Sequence, residues 1–235
     1  MQTESGGPPS IWRLVGEAGA LAHRIRFDAV RRVAARHDGQ GRPVVVLPGF
    51  MVHDVISTRL RRTLIAAGYD ARGWGMGLNR GLRPETMSSL EALLLGVHAE
   101  TGRPVALVGW SLGGLFAREV AKLRPEAVER VVTLASPFSG DPRANNLWRI
   151  SERLAGHPGD APPIDVRLSE KPPVPTIAIC ARWDGLISPA CTRGKDGERD
   201  HVLDVDCRHT DVISNPAAIA AILDVLAMDV QFEAQ

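Results

Sequence analysis

The stretch "GWSLGG", residues 109–114, lies between the apolar run 105–108 and a helical pattern over residues 112–123. This order predicts a strand, a sharp turn and a helix, with Ser111 at the turn. Such a turn strains the backbone of the serine, so its neighbours must be small, and a glycine stands two residues to either side. Ser111 is therefore either a capping serine at a tight turn or the nucleophile of a hydrolytic reaction.

Strand and helix patterns alternate on both sides of this turn, from residue 42 onward. Apolar strands separated by helices favour a parallel sheet covered on both faces. The sequence thus predicts the α/β class, with about six mainly parallel strands and helices on both faces. The six strand runs are "PVVVLPGF", "YDARGWGM", "PVALVGWS", "VERVVTLASPF", "VPTIAICARWD" and "HVLDVDCRH".

Three helices in this alternation have clear sequence signals. The first has an apolar face made of Val55, Ile56, Leu60, Leu64 and Ile65. The second is predicted over residues 84–101, and the last opens at Asn215-Pro216, a favourable cap and first-turn pair.

The chain of 235 residues is long enough for one large core, and we predict a single domain over residues 1–235. Residues 1–41 form an N-terminal extension, in which Ser10 caps a helix that packs on the main body. A membrane-surface role for this helix is the alternative. Residues 139–173 are rich in proline and interrupt the alternation, so they are either a short cap over a site or a solvated loop. The apolar repeat of the N-terminal helix is Ile11, Leu14, Val15, Ala18, Leu21, Ala22 and Ile25.

The composition excludes several classes of partner. The net charge is +1 with scattered basic residues, which argues against a nucleic acid partner. The polar N-terminus lacks a signal pattern and no apolar run could span a bilayer, so we expect a cytoplasmic protein without a membrane span. Three cysteines without CxxC spacing argue against a metal site, and we predict no metal and no cofactor. A reduced state is expected, with a Cys191–Cys207 bridge as the alternative.

A serine hydroxyl needs a base to take its proton and a group that orients the base. His209 follows the last predicted strand, whereas His201 begins that strand and is expected at the opposite edge of the sheet. Asp184 follows the fifth strand and is the predicted acid, with Asp141, after the fourth strand, as the alternative. Three other titratable residues are given structural or surface roles: Asp206 within the last strand, Asp211 facing solvent or capping a turn, and His53 near the end of the first strand.

Attack on a carbonyl also requires donors aimed at the oxyanion. The backbone N–H groups of Phe50, after Pro48-Gly49, and of Leu112, directly after Ser111, are predicted to converge on one oxygen.

Ser111, Asp184 and His209 occur in this order, each after a successive strand end, and here the chain resembles the α/β-hydrolase family. The resemblance covers residues 42–228 and is closest to small bacterial lipase/esterase-like serine hydrolases. The motifs that carry it are "VVVLPGF", "VALVGWSLGGLFAREVA", "VTLASPF", "ARWDGLISP" and "NPAAIAAILDVLA". The chain departs from the family in having Pro48-Gly49 where His-Gly is common, and "CRHTD" where Ser-His-x-Gly is common around the base.

The resemblance implies a carboxylic ester hydrolase that works through an acyl-enzyme, with Ser111 as nucleophile, Asp184 as acid and His209 as base. The expected partner is a small ester with an apolar acyl group, bound by Met51, Trp110, Trp148 and Trp183, although the tryptophans fit a core equally well. Two alternatives are an acyltransferase or thioesterase on the same triad, and a non-catalytic binding protein on a hydrolase scaffold.

Overall fold

A computed structural model describes residues 8–10, 12–14, 16–17, 37–81, 83–140 and 168–228. The predictions for Asp141, for Trp148 and for most of the cap fall on residues 141–167, outside the described residues. The later part of the N-terminal apolar repeat, from Ala18 onward, also lies outside them.

One parallel sheet of six strands runs through the described residues, as the sequence predicts. The strands are β1 (Pro43–Leu47), β2 (Asp70–Gly73), β3 (Val105–Trp110), β4 (Val128–Leu134), β5 (Thr176–Ala181) and β6 (His201–Val205). Their spatial order is β2-β1-β3-β4-β5-β6, and each neighbouring pair is parallel. All six carboxyl ends therefore meet at one edge of the sheet.

Helices connect the strands and cover the sheet. They are α1 (Thr58–Ala66), α2 (Pro84–Thr101), α3 (Leu112–Leu123), α4 (Pro189–Arg193) and α5 (Pro216–Ala227), with 3₁₀ turns at Asp54–Ser57 and Pro125–Ala127. The Asn215 side chain caps α5 by accepting from the backbone N–H groups of Ala217 and Ala218. Among the described residues, none of the helices combines the length and the apolar character that crossing a membrane requires.

Two apolar layers fill the space between sheet and helices. Along β1, Val44 and Val46 face the layer that α1 and α5 cover, while Val45 and Leu47 face the layer that α2 and α3 cover. This alternation follows from the two-residue period of a strand, and it explains why every residue of β1 is apolar and buried.

The predicted apolar face of the first helix is only partly correct. Leu60 and Leu64 are fully buried, but Val55 is 69% exposed and Ile65 is 57% exposed. Residues 54–57 wind as a 3₁₀ turn before α1 begins, which changes the phase of Val55. Ile65 is one residue beyond Leu64, about 100° around the helix, and therefore faces solvent.

The beginning of the chain packs against the carboxyl edge of the sheet. Residues 12–14 and 16–17 are helical, and the Ser10 carbonyl accepts from the N–H groups of Arg13 and Leu14. Leu14 contacts the buried cluster of Leu186, Ile187 and Cys191. The described residues 12–14 and 16–17 are thus helical within the stretch where the sequence predicts an N-terminal helix.

All three cysteines are free and buried, so the Cys191–Cys207 bridge is not adopted. Burial raises the pKa of the Cys180 thiol to about 11, and burial with nearby carboxylates, Asp211 first among them, also raises the pKa of Cys207. These two thiols are therefore protonated and poorly nucleophilic at neutral pH.

Candidate active site

Ser111 lies in a strained turn between β3 and α3. Its backbone adopts φ 53° and ψ −119°, a region that side-chain-bearing residues rarely enter. The Ser111 N–H donates to the carbonyl of Leu134 at 2.8 Å, which anchors the turn to the end of β4. The side chain is half-buried, and within the described residues its hydroxyl makes no hydrogen bond.

Three glycines make this turn possible. A Cβ on Gly109 would lie 2.3 Å from the Gly113 carbonyl oxygen, and one on Gly113 would lie 2.4 Å from the Leu47 carbonyl oxygen. A Cβ on Gly114 would lie 2.0 Å from the Ser136 hydroxyl oxygen. These distances exclude any side chain, so the glycines of "GWSLGG" let α3 approach β1, β3 and β4 closely.

The predicted acid and base form a buried pair at the same edge. His209 Nδ1 lies 2.7 Å from Asp184 Oδ2, and Nδ1 is the donor because a carboxylate accepts. Asp184 Oδ1 accepts from the N–H groups of Leu186 at 2.8 Å and Ile187 at 2.7 Å. With no exposed surface, the carboxylate is held in one orientation and directs the other imidazole nitrogen, Nε2, away from itself.

The electrostatic surroundings make His209 more basic than an ordinary histidine. Burial by itself would lower the pKa of His209, but the Asp184 carboxylate, through charge and hydrogen bond, and Glu17, through charge, raise it above its ordinary value. The imidazolium form is thus stabilised at this position.

A hydrogen bond from Trp110 joins the residue before Ser111 to the loop that carries His209. Trp110 directly precedes Ser111, is 6% exposed and belongs to the apolar core. Its Nε1–H donates to the His209 carbonyl at 3.1 Å, and the two rings lie 6.0 Å apart. Trp110 therefore occupies the core position that the sequence left open, and it connects the end of β3 to the loop after β6.

The loop after β1 lies directly beside Ser111. A Cβ on Gly49 would lie 3.4 Å from the Ser111 Cβ, which places the loop of Gly49 and Phe50 next to Ser111. Within the described part of the chain, the N–H groups of Phe50 and Leu112 donate to no acceptor.

Asn79 fastens this loop. It is fully buried, its Nδ2 donates to the Pro48 carbonyl at 2.8 Å, and its own carbonyl accepts from the Met51 N–H at 2.7 Å. These two bonds flank Gly49 and Phe50. Asn79 thereby sets the position of the predicted oxyanion loop.

The remaining titratable candidates take no part in the Asp184–His209 hydrogen bond. His201 is exposed at the start of β6, the opposite end of the sheet, as predicted. Asp206 lies just after β6 rather than within it, because pairing with β5 ends at Val205, and it forms an exposed ion pair with Arg182. Asp211 accepts from the Arg208 N–H at 2.7 Å and closes a turn, as predicted.

Two of the predicted substrate-contacting residues are exposed. Met51 is 45% exposed in the loop after β1, and Trp183 is 49% exposed just before Asp184.

His53 is exposed and accepts from the Val55 N–H, which agrees with the predicted structural or surface role. Within the described residues, no group of three or more His, Cys, Asp and Glu side chains could hold a metal ion.

Comparison with known proteins identifies the family. Residues 44–224, most of the chain, match the alpha/beta hydrolase family. The chain belongs to this family. The resemblance noted in the sequence is thereby confirmed, together with the fold class.

Curated relatives of this alpha/beta hydrolase include two bacterial esterases. The pimeloyl-(acyl-carrier protein) methyl ester esterase of Photobacterium profundum is 31% identical over 118 residues, which are 48% of this chain and 43% of that protein. The enzyme of the same name from Klebsiella pneumoniae is 48% identical over 48 residues, 20% of this chain and 19% of that protein. The chain thus spans less than half the length of the curated relatives that it matches.

Solved structures of other hydrolases share the fold. A monoacylglycerol lipase from Paleococcus ferrophilus matches with a TM-score of 0.58 and 16% identity, over 82% of this chain and 96% of that one. A pyrethroid hydrolase from Sphingobium faniae matches with a TM-score of 0.57 and 16% identity, over 80% of this chain and 98% of that one. At these identities the likeness shows the alpha/beta hydrolase fold alone.

Sequence reasoning missed two residues that position the site of this alpha/beta hydrolase, Asn79 and Glu17. Asn79 lies in a short turn-like stretch between Gly77 and Gly81. Its complete burial in the structure is the only sign of its positioning role. Glu17 is three residues after Leu14, at the edge of the predicted apolar stripe. A charged residue at such a position was the one available signal that the N-terminal helix covers something polar.

Proposed function

We propose that this chain is a serine hydrolase that cleaves carboxylic esters through an acyl-enzyme, with Ser111, Asp184 and His209 as its triad. The observation that carries the proposal is the buried Asp184–His209 hydrogen bond at the strand edge where Ser111 occupies a strained turn. The esterase names of the curated relatives support the same reaction class.

In the first half of the reaction, Ser111 Oγ bonds to the acyl carbon while its proton passes to His209 Nε2. The electron pair of the carbonyl moves onto the oxygen, and the N–H groups of Phe50 and Leu112 stabilise that oxyanion. The bond from the acyl carbon to the alcohol oxygen then breaks, and the imidazolium gives its proton to the leaving alcohol. Asp184 stays ionised and keeps the Nδ1 proton in place.

In the second half, water replaces the alcohol. His209 removes a proton from the water as its oxygen bonds to the acyl carbon, and the bond to Ser111 Oγ then breaks. Ser111 recovers its proton from His209, and the carboxylic acid leaves. The Ser111 hydroxyl and Nε2 approach each other in the substrate complex, since such contacts commonly tighten only when substrate is bound.

The proposed substrate is a small ester with an apolar acyl group. Met51 and Trp183 support this choice, because each exposes a large apolar side chain in a loop of the site, one beside Phe50 and one beside Asp184. Large exposed apolar side chains at a site are typical of ligand contacts.

Labelling with a fluorophosphonate probe tests the proposal. Wild-type protein should react covalently and hydrolyse nitrophenyl esters, whereas Ser111→Ala should neither label nor turn over above a small residual rate. Ser89→Ala is the matched control, because Ser89 is exposed on α2, and it should label like wild type.

Failure of wild-type protein to label would contradict an activated serine and favour a binding protein. Labelling without ester turnover in water would instead favour acyl transfer. Addition of an alcohol or amine acceptor would test that alternative directly.

A further inference from the structure

Glu17 is a buried carboxylate in the N-terminal helical residues, far from the proposed triad in sequence. It is 4% exposed and accepts four hydrogen bonds. Oε1 accepts from the N–H groups of Gly185 at 2.8 Å and His209 at 3.0 Å. Oε2 accepts from the N–H of Thr210 at 2.9 Å and from its hydroxyl at 2.7 Å. Both oxygens act only as acceptors, as expected for an ionised carboxylate.

These bonds join the two loops that carry the acid and the base. Gly185 directly follows Asp184, and the other two N–H donors belong to His209 itself and to the residue after it. A single oxygen, Oε1, accepts from both loops. Any movement of one loop relative to the other must therefore break a buried bond to Glu17.

The approach of the N-terminal segment is close. A Cβ on Gly185 would lie 2.3 Å from the Arg13 carbonyl oxygen, so only glycine fits there. A Cβ on Gly16 would lie 2.1 Å from the Arg208 guanidinium, which places that side chain beside the same segment. The N-terminal segment thus packs closely against both loops.

The charged neighbours of His209 are few in the described part of the chain. Asp184 faces it from the loop after β5, and Glu17 faces it from the N-terminal segment. Its own loop contributes Arg208 and Asp211, which are linked through the Arg208 N–H. Glu17 adds a second negative charge, beside Asp184, that favours the imidazolium. The neutral Cys207 thiol completes the set.

We propose that Glu17 is a positioning residue for the reaction, which locks the Asp184 and His209 loops together and stabilises the His209 imidazolium formed during proton transfer. This role rests on the proposed function. Glu17 does not touch the reacting atoms. It acts through His209, whose backbone it holds and whose positive charge it favours.

Three full-length variants separate charge from geometry. Glu17→Gln removes the charge and keeps one acceptor oxygen, Glu17→Asp keeps the charge on a shorter side chain, and Glu126→Gln is the matched control. Glu126 is exposed in the turn before β4, at the opposite end of the sheet. Thermal melts show that each variant is folded at the assay temperature.

The first readout is the acidic limb of kcat/KM for a nitrophenyl ester, which reports the pKa of the free-enzyme base. Activity needs neutral His209, so it rises as pH increases through that pKa. Loss of the Glu17 charge lowers the pKa of His209, and Glu17→Gln should move the limb to lower pH. We expect kcat to fall about 10- to 100-fold from the displaced loops. In Glu17→Asp, kcat should fall while the limb stays near its wild-type position.

The second readout needs no enzymatic activity. The His209 imidazole signal in histidine-labelled protein, assigned by its loss in His209→Gln, is titrated by NMR in wild type, Glu17→Gln and Glu126→Gln. The titration midpoint should fall in Glu17→Gln and remain unchanged in Glu126→Gln. This measurement tests Glu17 even if wild-type protein neither labels nor hydrolyses esters, so failure of the proposed function remains distinguishable.

The proposal would be overturned if the acidic limb of kcat/KM and the His209 NMR titration midpoint both stay at their wild-type pH in Glu17→Gln. A lower melting temperature with unchanged midpoints would equally overturn it, because that result assigns Glu17 to stability alone. A Glu17→Asp limb shifted as far as that of Glu17→Gln would contradict the role of the charge.

Discussion

The two sides of the proposed site are each fastened by one buried polar residue, but by different kinds. On the oxyanion side, the neutral side-chain amide of Asn79 donates to the Pro48 carbonyl, 31 residues away in the sequence, and the Asn79 backbone carbonyl accepts from the Met51 N–H. On the acid–base side, Glu17 binds Gly185, His209 and Thr210 with a carboxylate, across 168 to 193 residues. The first residue orders a backbone loop, and the second also changes the electrostatics of a titrating group.

The difference follows from what each side must do. The oxyanion donors are backbone N–H groups that need only a fixed position, and a neutral amide provides this without altering any pKa. The base must accept a proton, and a nearby negative charge favours the protonated form. Disruption of either side should therefore lower kcat, but only loss of the Glu17 charge should shift the acidic limb of kcat/KM.

The largest effect is expected from breaking the acid–base pair itself. Asp184→Asn should lower kcat by about 10⁴-fold, because the imidazole loses the acceptor that fixes its tautomer. Ester turnover under saturating substrate measures this. The matched control is Asp206→Asn, since Asp206 is exposed just after β6 and, among the described residues, forms its ion pair with Arg182 on the surface.

If kcat of Asp184→Asn fell less than tenfold, the assignment of Asp184 as the acid would be wrong. If Asp141→Asn produced the large loss instead, the acid would follow the fourth strand, the alternative that the sequence left open.

The oxyanion side should respond more weakly and without a change in pH dependence. Asn79→Ala removes the bond to the Pro48 carbonyl, so the Phe50 N–H loses its fixed position, and kcat should fall about 100-fold. The acidic limb of kcat/KM should remain where it is in wild type, because Asn79 carries no charge. A shift of that limb would show that the two sides are not electrostatically separate. A thermal melt checks folding, since the buried Gly81 N–H also loses its acceptor.

The strand ends that carry the proposed triad residues were predictable from the sequence. In a parallel sheet all carboxyl ends meet at one edge, so Ser111, Asp184 and His209 could be placed together from the strand patterns alone. The same reasoning correctly sent His201 to the opposite end. It misplaced Asp206, since the exact end of β6 depends on its pairing with β5 and not on local pattern.

The two fastening residues could not be predicted, for a physical reason. Their roles depend on which backbone groups meet across long stretches of chain, and periodicity carries no information about such pairs. Glu17 contacts loops that lie near the other end of the sequence. The exposure of Val55 was missed because Val55 lies in a 3₁₀ turn before α1 begins. The exposure of Ile65 was missed because Ile65 lies about 100° around the helix from the buried Leu64.

A milder disturbance of the acid–base side is possible where the N-terminal segment lies against the loop after β5. Gly185→Ala places a Cβ 2.3 Å from the Arg13 carbonyl oxygen, so the segment must move away and weaken the bonds of Glu17. We expect kcat to fall about tenfold, with the oxyanion side intact. Gly96→Ala is the control, because a Cβ there meets nothing within 4 Å. Wild-type kcat in Gly185→Ala would show that docking of the segment does not affect the reaction.

The smallest predicted effect concerns the apolar side chain that each side exposes, Met51 and Trp183. If both contact the acyl chain, truncating either one should impair octanoate esters more than acetate esters, since each buried methylene is worth about 0.8 kcal/mol, or about fourfold in kcat/KM. Trp183→Ala should have the larger effect because it removes more apolar surface. Ile65→Ala, which truncates an exposed apolar residue on α1, should change neither substrate. Equal losses on acetate and octanoate in both variants would exclude these loops as the acyl site. A selective loss in only one variant would show on which side of Ser111 the acyl chain lies, and would thereby place the leaving alcohol on the other.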